Sequence, residues 1–258
     1  MRIFLTILFC LYSTFAWGGV DFDGTDDYSL ASDSTSLSVT GNITLAAWII
    51  IDAAPAAEGY IIAKWQAAAG ERSYRIDLNS TPALRGILSS DGTGNSGFAI
   101  GATTLSTATI YHVAFVYNGT DMRLYLNGIL DENGANNPKT YSSGIFDNAT
   151  PVLLGAGGNG VTQGGFINAK ILDSCMLNKA LTADQIYDLY ASKNKLSCVQ
   201  IAPANQVAYW RLDDQPDGTS VDGDTFRDMS SNANTSTGNN GANNTGLTAV
   251  AETVLTYP

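Results

Sequence analysis

The side chains in this sequence that could do chemistry are mostly carboxylates, and their spacing gathers them into two clusters. Asp21, Asp23, Asp26 and Asp27 fall within one short turn, and Asp213, Asp217, Asp222 and Asp224 within a second acidic stretch, Asp213 to Asp228. Oxygen donors set this closely along a turn suit a hard cation, calcium above all. Counted from Asp213, the second stretch carries acids at positions 1, 5 and 12 and a glycine at 6, as a calcium loop does. It departs from that pattern in having Gln215 at position 3, Asp rather than Glu at 12, and no flanking helices. These eight aspartates are the candidate metal ligands. Solvated acidic turns are the alternative.

Other chemistries find no matching pattern. Glycoside hydrolysis needs closely spaced carboxylates, yet the four glutamates, Glu58, Glu71, Glu132 and Glu252, stand far apart, and Asp173 has no acidic partner two residues away. The single histidine, His112, lies mid-run among apolar residues and reads as a hydrogen-bonded structural group rather than a base or metal ligand. A Ser–His–Asp or Cys–His arrangement would need that same histidine. One His and few cysteines leave no zinc pattern, and no phosphate-binding glycine motif follows a strand and opens a helix. The expectation is a protein that is not an enzyme.

The elements that must carry these residues are strands. From Ile110 to Gly128 (IYHVAFVYNGTDMRLYLNG) two β-forming runs flank the turn Asn118-Gly119-Thr120-Asp121, and the second ends in Asn127-Gly128, a strong hairpin signal because both residues tolerate positive φ. Ile43 to Ile51 (ITLAAWIII) is apolar on both faces and reads as a central strand. Tyr60 to Trp65, Leu84 to Ser89, Phe98 to Gly101, Val152 to Gly155, Phe166 to Leu177 and Val207 to Leu212 are further strands. Ser73 to Asn79 alternates Tyr74, Ile76 and Leu78 against Ser73, Arg75 and Asp77, a strand with one wet face. Gly155 to Gly165 is a glycine-rich loop. The one convincing helix is Thr182 to Ser192, where Thr182 and Gln185 form a capping-box pattern ahead of Ile186, Leu189 and Tyr190. After the acidic loop, an Asn/Gly/Thr-rich tract to Leu247 has the composition of a disordered segment before TAVAETVLTYP recovers apolar residues.

Residues 1–18 read as a secretory signal: Arg2, an apolar run from Ile3 to Phe15, and the small-x-small site Ala16-Trp17-Gly18. That run is too short to span a bilayer and no later segment could, so the mature chain is expected to be secreted, at the cell surface or periplasmic, without inserting in a membrane. A net charge of −11 argues against nucleic acid as a partner. Signal removal would take Cys10 and leave Cys175 and Cys198, an even pair that in an exported chain favours a disulfide, with two free buried thiols as the alternative. The bridge would close a loop worth ~3 kcal/mol by the chain-entropy model.

Four phrases resemble the laminin-G-like jelly-roll domains of the concanavalin A-like lectin/glucanase superfamily. They are Phe22-Asp23-Gly24-Thr25-Asp26-Asp27-Tyr28, Leu45-Ala46-Ala47-Trp48-Ile49, His112 to Gly119 with Leu124 to Gly128, and Asp173 with Ala180 to Ile186. The resemblance implies an all-β fold, a two-sheet antiparallel jelly-roll sandwich, with one short helix near residues 182–192. It also implies a non-catalytic binding module for carbohydrate or an extracellular protein surface, a structural or adhesive surface component being the alternative, and it is in keeping with a calcium ion. Outward-facing aromatic rings on strands would then meet a ligand, with Trp65, Tyr74 and Tyr125 as the candidates and Tyr60 and Trp210 beside them. The phrase Ala208-Tyr209-Trp210-Arg211-Leu212-Asp213, which precedes the Phe-Asp-Gly phrase in many such domains, lies here near the C-terminus. Either residues 207–258 complete the sandwich of a single domain spanning 19–258, or they begin a truncated repeat. The first is expected, because a lone strand cannot bury its apolar face.

Overall fold

The computed structural model describes residues 19–192, 198–216, 219–239 and 248–249. The expected signal segment, Asp217 and most of the closing apolar stretch lie outside the described residues. In chain order the strands are β1 (Val20–Asp23), β2 (Tyr28–Ala31), β3 (Ile43–Ile51), β4 (Glu58–Trp65), β5 (Arg72–Asn79), β6 (Ala83–Leu88), β7 (Gly97–Thr104), β8 (Ile110–Tyr117), β9 (Asp121–Leu126) and β10 (Ile129–Leu130). Then come β11 (Lys139–Thr140), β12 (Val152–Leu154), β13 (Gly157–Gly158), β14 (Gln163–Gly164) and β15 (Asn168–Leu177), followed by helices α1 (Ala183–Ala191) and α2 (Cys198–Ile201). The chain closes with β16 (Gln206–Trp210), β17 (Thr225–Phe226), β18 (Ser236–Asn239) and β19 (Thr248–Ala249).

Apart from β13 and β14, which pair with each other, these strands form two large antiparallel sheets. Sheet A runs β10-β9-β8-β3-β15-β1-β19, with β11 on β9 and β16 on β15; sheet B runs β17-β18-β2-β12-β4-β5-β6-β7. The architecture is the expected two-sheet sandwich of jelly-roll type. Its core lies between Ile43, Leu45, Ile49, Val113, Phe115 and Tyr117 of sheet A and Ile61, Tyr74, Ile76, Leu78, Leu84 and Leu88 of sheet B. Gly86 on β6 is required by that packing, since a Cβ there would sit 2.3 Å from the Phe115 ring.

The outer face of sheet A is covered by helix, which explains why β3 and β8 are apolar on both sides. Ala46, Ala114, Val116, Tyr125, Cys175 and Leu177 pack against Leu181, Ile186 and Leu189. Small Ala46 and Ala114 leave room for the helix. Thr182 caps α1, its Oγ1 accepting from the Gln185 amide at 3.2 Å while the Gln185 side chain accepts from the Thr182 amide at 3.1 Å. Cys175 and Cys198 are joined by a disulfide, which ties α2 to β15. Asn127 and Gly128 turn the β9–β10 hairpin with φ of 49° and 79°.

The C-terminal segment joins both sheets. On one edge of β15, β1 pairs with Asn168–Ile171 and β16 with Ser174–Leu177, so the two lie end to end. In sheet B, β18 pairs with β2 over Ser236↔Ala31 to Asn239↔Tyr28. Trp210 is buried between the sheets and donates from Nε1 to the Asn234 carbonyl at 2.8 Å. Asp228 accepts from the amides of Tyr209, Ser230 and Asn234, at 2.9, 2.8 and 2.8 Å. Part of the polar tract expected to be disordered is thus a strand. Ser236-Thr237-Gly238-Asn239 shows no apolar period, and its order comes from the backbone hydrogen bonds that the free edge of β2 offers.

Candidate binding pocket and acidic turn

The outer face of sheet B carries a second, polar layer. Tyr60, Ala63, Trp65 and Ile87 form a small apolar cluster separate from the core. Beside it, Arg75 and Asp77 of β5 meet Arg85 of β6 and Glu58 of β4. The face expected to be wet is buried instead: Ser73, Arg75 and Asp77 keep 1, 3 and 0% of their surface. Charge is tolerated there because every member is paired. Asp77 sits between the Nε atoms of Arg75 (2.7 Å) and Arg85 (2.5 Å), and Glu58 between their Nη2 atoms (2.9 and 3.0 Å). The Tyr60 hydroxyl donates to Glu58 at 2.6 Å and accepts from Arg75 Nη1. Burial raises the Asp77 carboxyl and the two guanidiniums pull it back, leaving it at about 6. Burial would also raise Glu58, but the Tyr60 hydroxyl and the guanidiniums of Arg75 and Arg85 outweigh it and hold Glu58 below the usual carboxylate range.

This network forms one wall of a pocket of about 380 Å³ lined by Glu58, Tyr60, Trp65, Arg72, Arg75 and Asn95, together with Ala67. Small-ligand sites typically measure roughly 300–1,000 Å³. Arg72 bridges the two loops at its mouth, donating from Nη1 to the Thr93 carbonyl and from Nη2 to the Ala67 carbonyl, both at 2.6 Å. The glycine-rich loop closes down on the neighbouring ring. A Cβ on Gly157 would lie 2.2 Å from Tyr60, so only glycine lets the loop approach this closely.

None of the candidate aromatic rings stands free on the surface. Tyr74 is wholly buried in the sandwich core and donates to the Leu37 carbonyl at 2.9 Å. Tyr125 lies beneath the helices at 4% exposure. Trp65 retains 3% and borders the pocket, but Arg75 covers it, its guanidinium carbon 4.8 Å from the Trp65 ring and 4.3 Å from the Tyr60 ring. Strand alternation assigns residues to faces without saying which faces other segments cover. Glu58, Arg72, Arg75, Asp77, Arg85 and Asn95 did not stand out in the sequence. The signal that points to them is the complementary charge of Arg75-x-Asp77 and Arg85 on successive strands, where Asp77 and Arg85 are direct cross-strand partners.

The two acidic clusters differ. Carboxylate oxygens of Asp23, Asp26 and Asp27 lie within 4.8 Å of one another, the one such group among the described residues. Asp26 Oδ1 is buried without a hydrogen-bond partner, and Asp27 is pushed up to about 7 by burial, with the charges of Asp23, Asp26 and Asp21 adding to it against the Asp23 amide. Oxygen donors, like charge and an orphaned buried oxygen fit a calcium ion. Asp21 points elsewhere and pairs with Lys170 at 3.4 Å. Asp213 pairs with Arg211. Asp222 lies near Tyr28, whose phenol burial raises with help from that carboxylate, but neither it nor Asp224 joins the three-acid group. Asp217 lies outside the described residues, and among the described residues Asp213, Asp222 and Asp224 form no three-acid group like that of the first turn.

His112 is buried, 5.1 Å from the Trp48 ring, and burial lowers it to about 4. It shares a cavity of about 20 Å³ with Asp173 and Tyr209, room for one water and not for a sugar. As it is the sole histidine, its imidazole resonance titrates alone; an NMR midpoint near 4 is expected, and one near the unperturbed 6.5 would contradict this burial.

A concanavalin A-like lectin/glucanases superfamily model of laminin G type matches residues 23–187. No curated protein matches by sequence. Among solved structures, a candidate carbohydrate-binding protein from Bacteroides ovatus ATCC 8483 superposes with a TM-score of 0.64 at 14% identity, covering 93% of this chain. The chain spans 62% of that protein's length. A heptameric SAP-like pentraxin from Limulus polyphemus gives 0.51 at 16% identity, covering 70% of this chain and 84% of its own. Trypanosoma rangeli sialidase in complex with sialic acid gives 0.51 at 13% identity, over 70% of this chain and 28% of the sialidase. At these identities the structures speak for the fold alone. Among the described residues no helix is long and apolar enough to cross a membrane, and the disulfide is of a kind that persists in extracellular or periplasmic compartments. With four ordered sequence phrases, the sandwich and a family model over most of its length, the chain belongs to the concanavalin A-like lectin/glucanase superfamily.

Proposed function

We propose that this protein is an exported, non-catalytic module that binds carbohydrate in the pocket on the outer face of sheet B, with calcium held by Asp23, Asp26 and Asp27. The observation that carries the reading is a pocket of ligand size whose polar wall is fixed by a buried ion-pair network. Preorganised donors of this kind lose little entropy on binding. Glu58 and Asp77 are each held by two arginines, which supports binding over hydrolysis, since neither carboxylate is placed to trade protons with a glycosidic bond. Calcium would act structurally, drawing together three like charges and fixing the β1–β2 turn.

A glycan array probed with the purified protein, with and without calcium, is expected to show selective binding; a blank array under both conditions would overturn the carbohydrate reading. Calcium is tested separately. With a dissociation constant in the roughly 10⁻⁴–10⁻³ M range of extracellular modules, about 10 mM calcium should stabilise the fold by about 1.4–2.7 kcal/mol. Asp26→Asn should abolish most of that gain in thermal melts. A wild-type melt unmoved by calcium rules the ion out. A structural or adhesive role is favoured by one feature, the exposed residues Ile129 of β10 and Tyr187 of α1 (67 and 51% exposed), on elements that touch, and light scattering that finds only monomer counts against it.

A further inference from the structure

We propose that the sheet B pocket is a subsite for the acidic group of a sugar, a carboxylate or a sulfate, received by Arg72; this rests on the carbohydrate reading above. The pocket offers no open aromatic platform, because Arg75 already lies over both Tyr60 and Trp65. What remains for a ligand are guanidinium and amide donors. Of the two arginines that line it, Arg75 is neutralised locally, sharing Glu58 and Asp77 with Arg85 of the network. The Glu58 carboxylate, which also lines the pocket, is occupied by the Tyr60 hydroxyl and both guanidiniums.

Arg72 differs from its neighbours. It makes no ion pair among the described residues, holding two neutral loop carbonyls instead. Its Nε is buried without an acceptor. Two nearby acids are engaged elsewhere: Glu71, its neighbour in sequence, accepts from Asn159 Nδ2 at 3.1 Å, and Asp91, two residues before the Thr93 that Arg72 holds, accepts from the Thr93 amide at 2.8 Å. In a chain of net charge −11, an arginine left without a carboxylate at the mouth of a ligand-sized pocket is a local excess of positive charge. Its planar guanidinium, set 5.8 Å from the Trp65 ring, matches the two oxygens of a carboxylate or sulfate.

The test is calorimetry on the purified protein with three matched oligosaccharides: a hexuronate, its carboxyl-reduced counterpart, and a sulfated form of the latter. The wild type is expected to bind an acidic sugar roughly 10- to 100-fold more tightly than the reduced one, the factor for a hydrogen bond to a charged group. Arg72→Gln should erase that preference, bringing the ratio of acidic-sugar to reduced-sugar affinity to about one. Binding only the sulfated or only the uronate form supports the proposal and identifies the acid. Equal affinity for acidic and reduced sugars overturns it and leaves the carbohydrate reading standing, whereas no binding of any of the three overturns both. Because Arg72 bridges two loops, its substitution could loosen the fold. Asn95→Asp, at an exposed residue of the pocket lining, avoids that risk: it should cut the preference for the acidic over the reduced sugar by roughly threefold or more, and an unchanged preference would overturn the assignment.

Discussion

Replacing Asp77 by alanine is expected to destabilise the protein by about 3–5 kcal/mol, the range for breaking a buried ion pair by removing one partner. The cost arises from what stays behind. Arg75 keeps 4% of its side-chain surface and Arg85 13%, and without Asp77 both guanidiniums would share the single carboxylate of Glu58. Arg75 cannot reach bulk water without leaving the Tyr60 and Trp65 rings it covers, whereas Arg85 lies against Phe98. Asp77→Asn keeps the shape and loses the charge, so it should fall between wild type and alanine. Urea titrations of the three proteins measure the order directly, and a loss below about 1 kcal/mol for alanine would mean that the network contributes no more than a surface pair. Sugar affinity should fall with stability, since Arg75 forms part of the pocket wall.

Asp173→Asn should do the opposite, and only at neutral to alkaline pH. The Asp173 carboxyl is pushed up to about 7 by burial, against the Tyr209 hydroxyl, 3.4 Å away, and the charge of Arg211. Its Oδ1 has no hydrogen-bond partner. The folded value lies above the unfolded one, so between about pH 4 and 7 the native state holds the extra proton and stability declines as pH rises. Above pH 7 the full penalty is present; below about 4 it is absent. Asparagine carries no such penalty. A fully enclosed group shifted this far would account for about 4 kcal/mol. Asp173 keeps some surface, so a gain of about 2–3 kcal/mol at pH 8, vanishing by pH 4, is expected from denaturation of both proteins across pH. A gain that persists unchanged at pH 4 would remove the ionisation of Asp173 as its source.

Much of the fold was legible because local chemistry and tertiary contacts agree. The Asn127-Gly128 turn, the Thr182/Gln185 cap and the doubly apolar β3 each follow from residue types, and the sandwich then follows from burying those faces. The cysteine pair was legible through the even count left once the expected signal, with Cys10, is set aside. The acidic turn was legible in part: Asp23, Asp26 and Asp27 are neighbours in sequence, so a single turn suffices to gather them.

The rest depended on contacts between residues distant in sequence. Polar β18 is a strand because β2 has a free edge, not because of anything periodic in Ser236 to Asn239. Tyr74 and Tyr125 lie on strands as expected, yet the second sheet covers one and the helices the other. The pocket is the clearest case. Glu58, Arg72, Arg75, Asp77 and Arg85 come from three strands, and each taken singly is an ordinary surface residue. The sequence by itself determined strands, turns, the cap and the local acidic cluster, since these depend on residues a few positions apart. Only the tertiary structure decided which faces are covered, which charges are matched and which arginine is left over, because these depend on how segments far apart in the chain pack against one another.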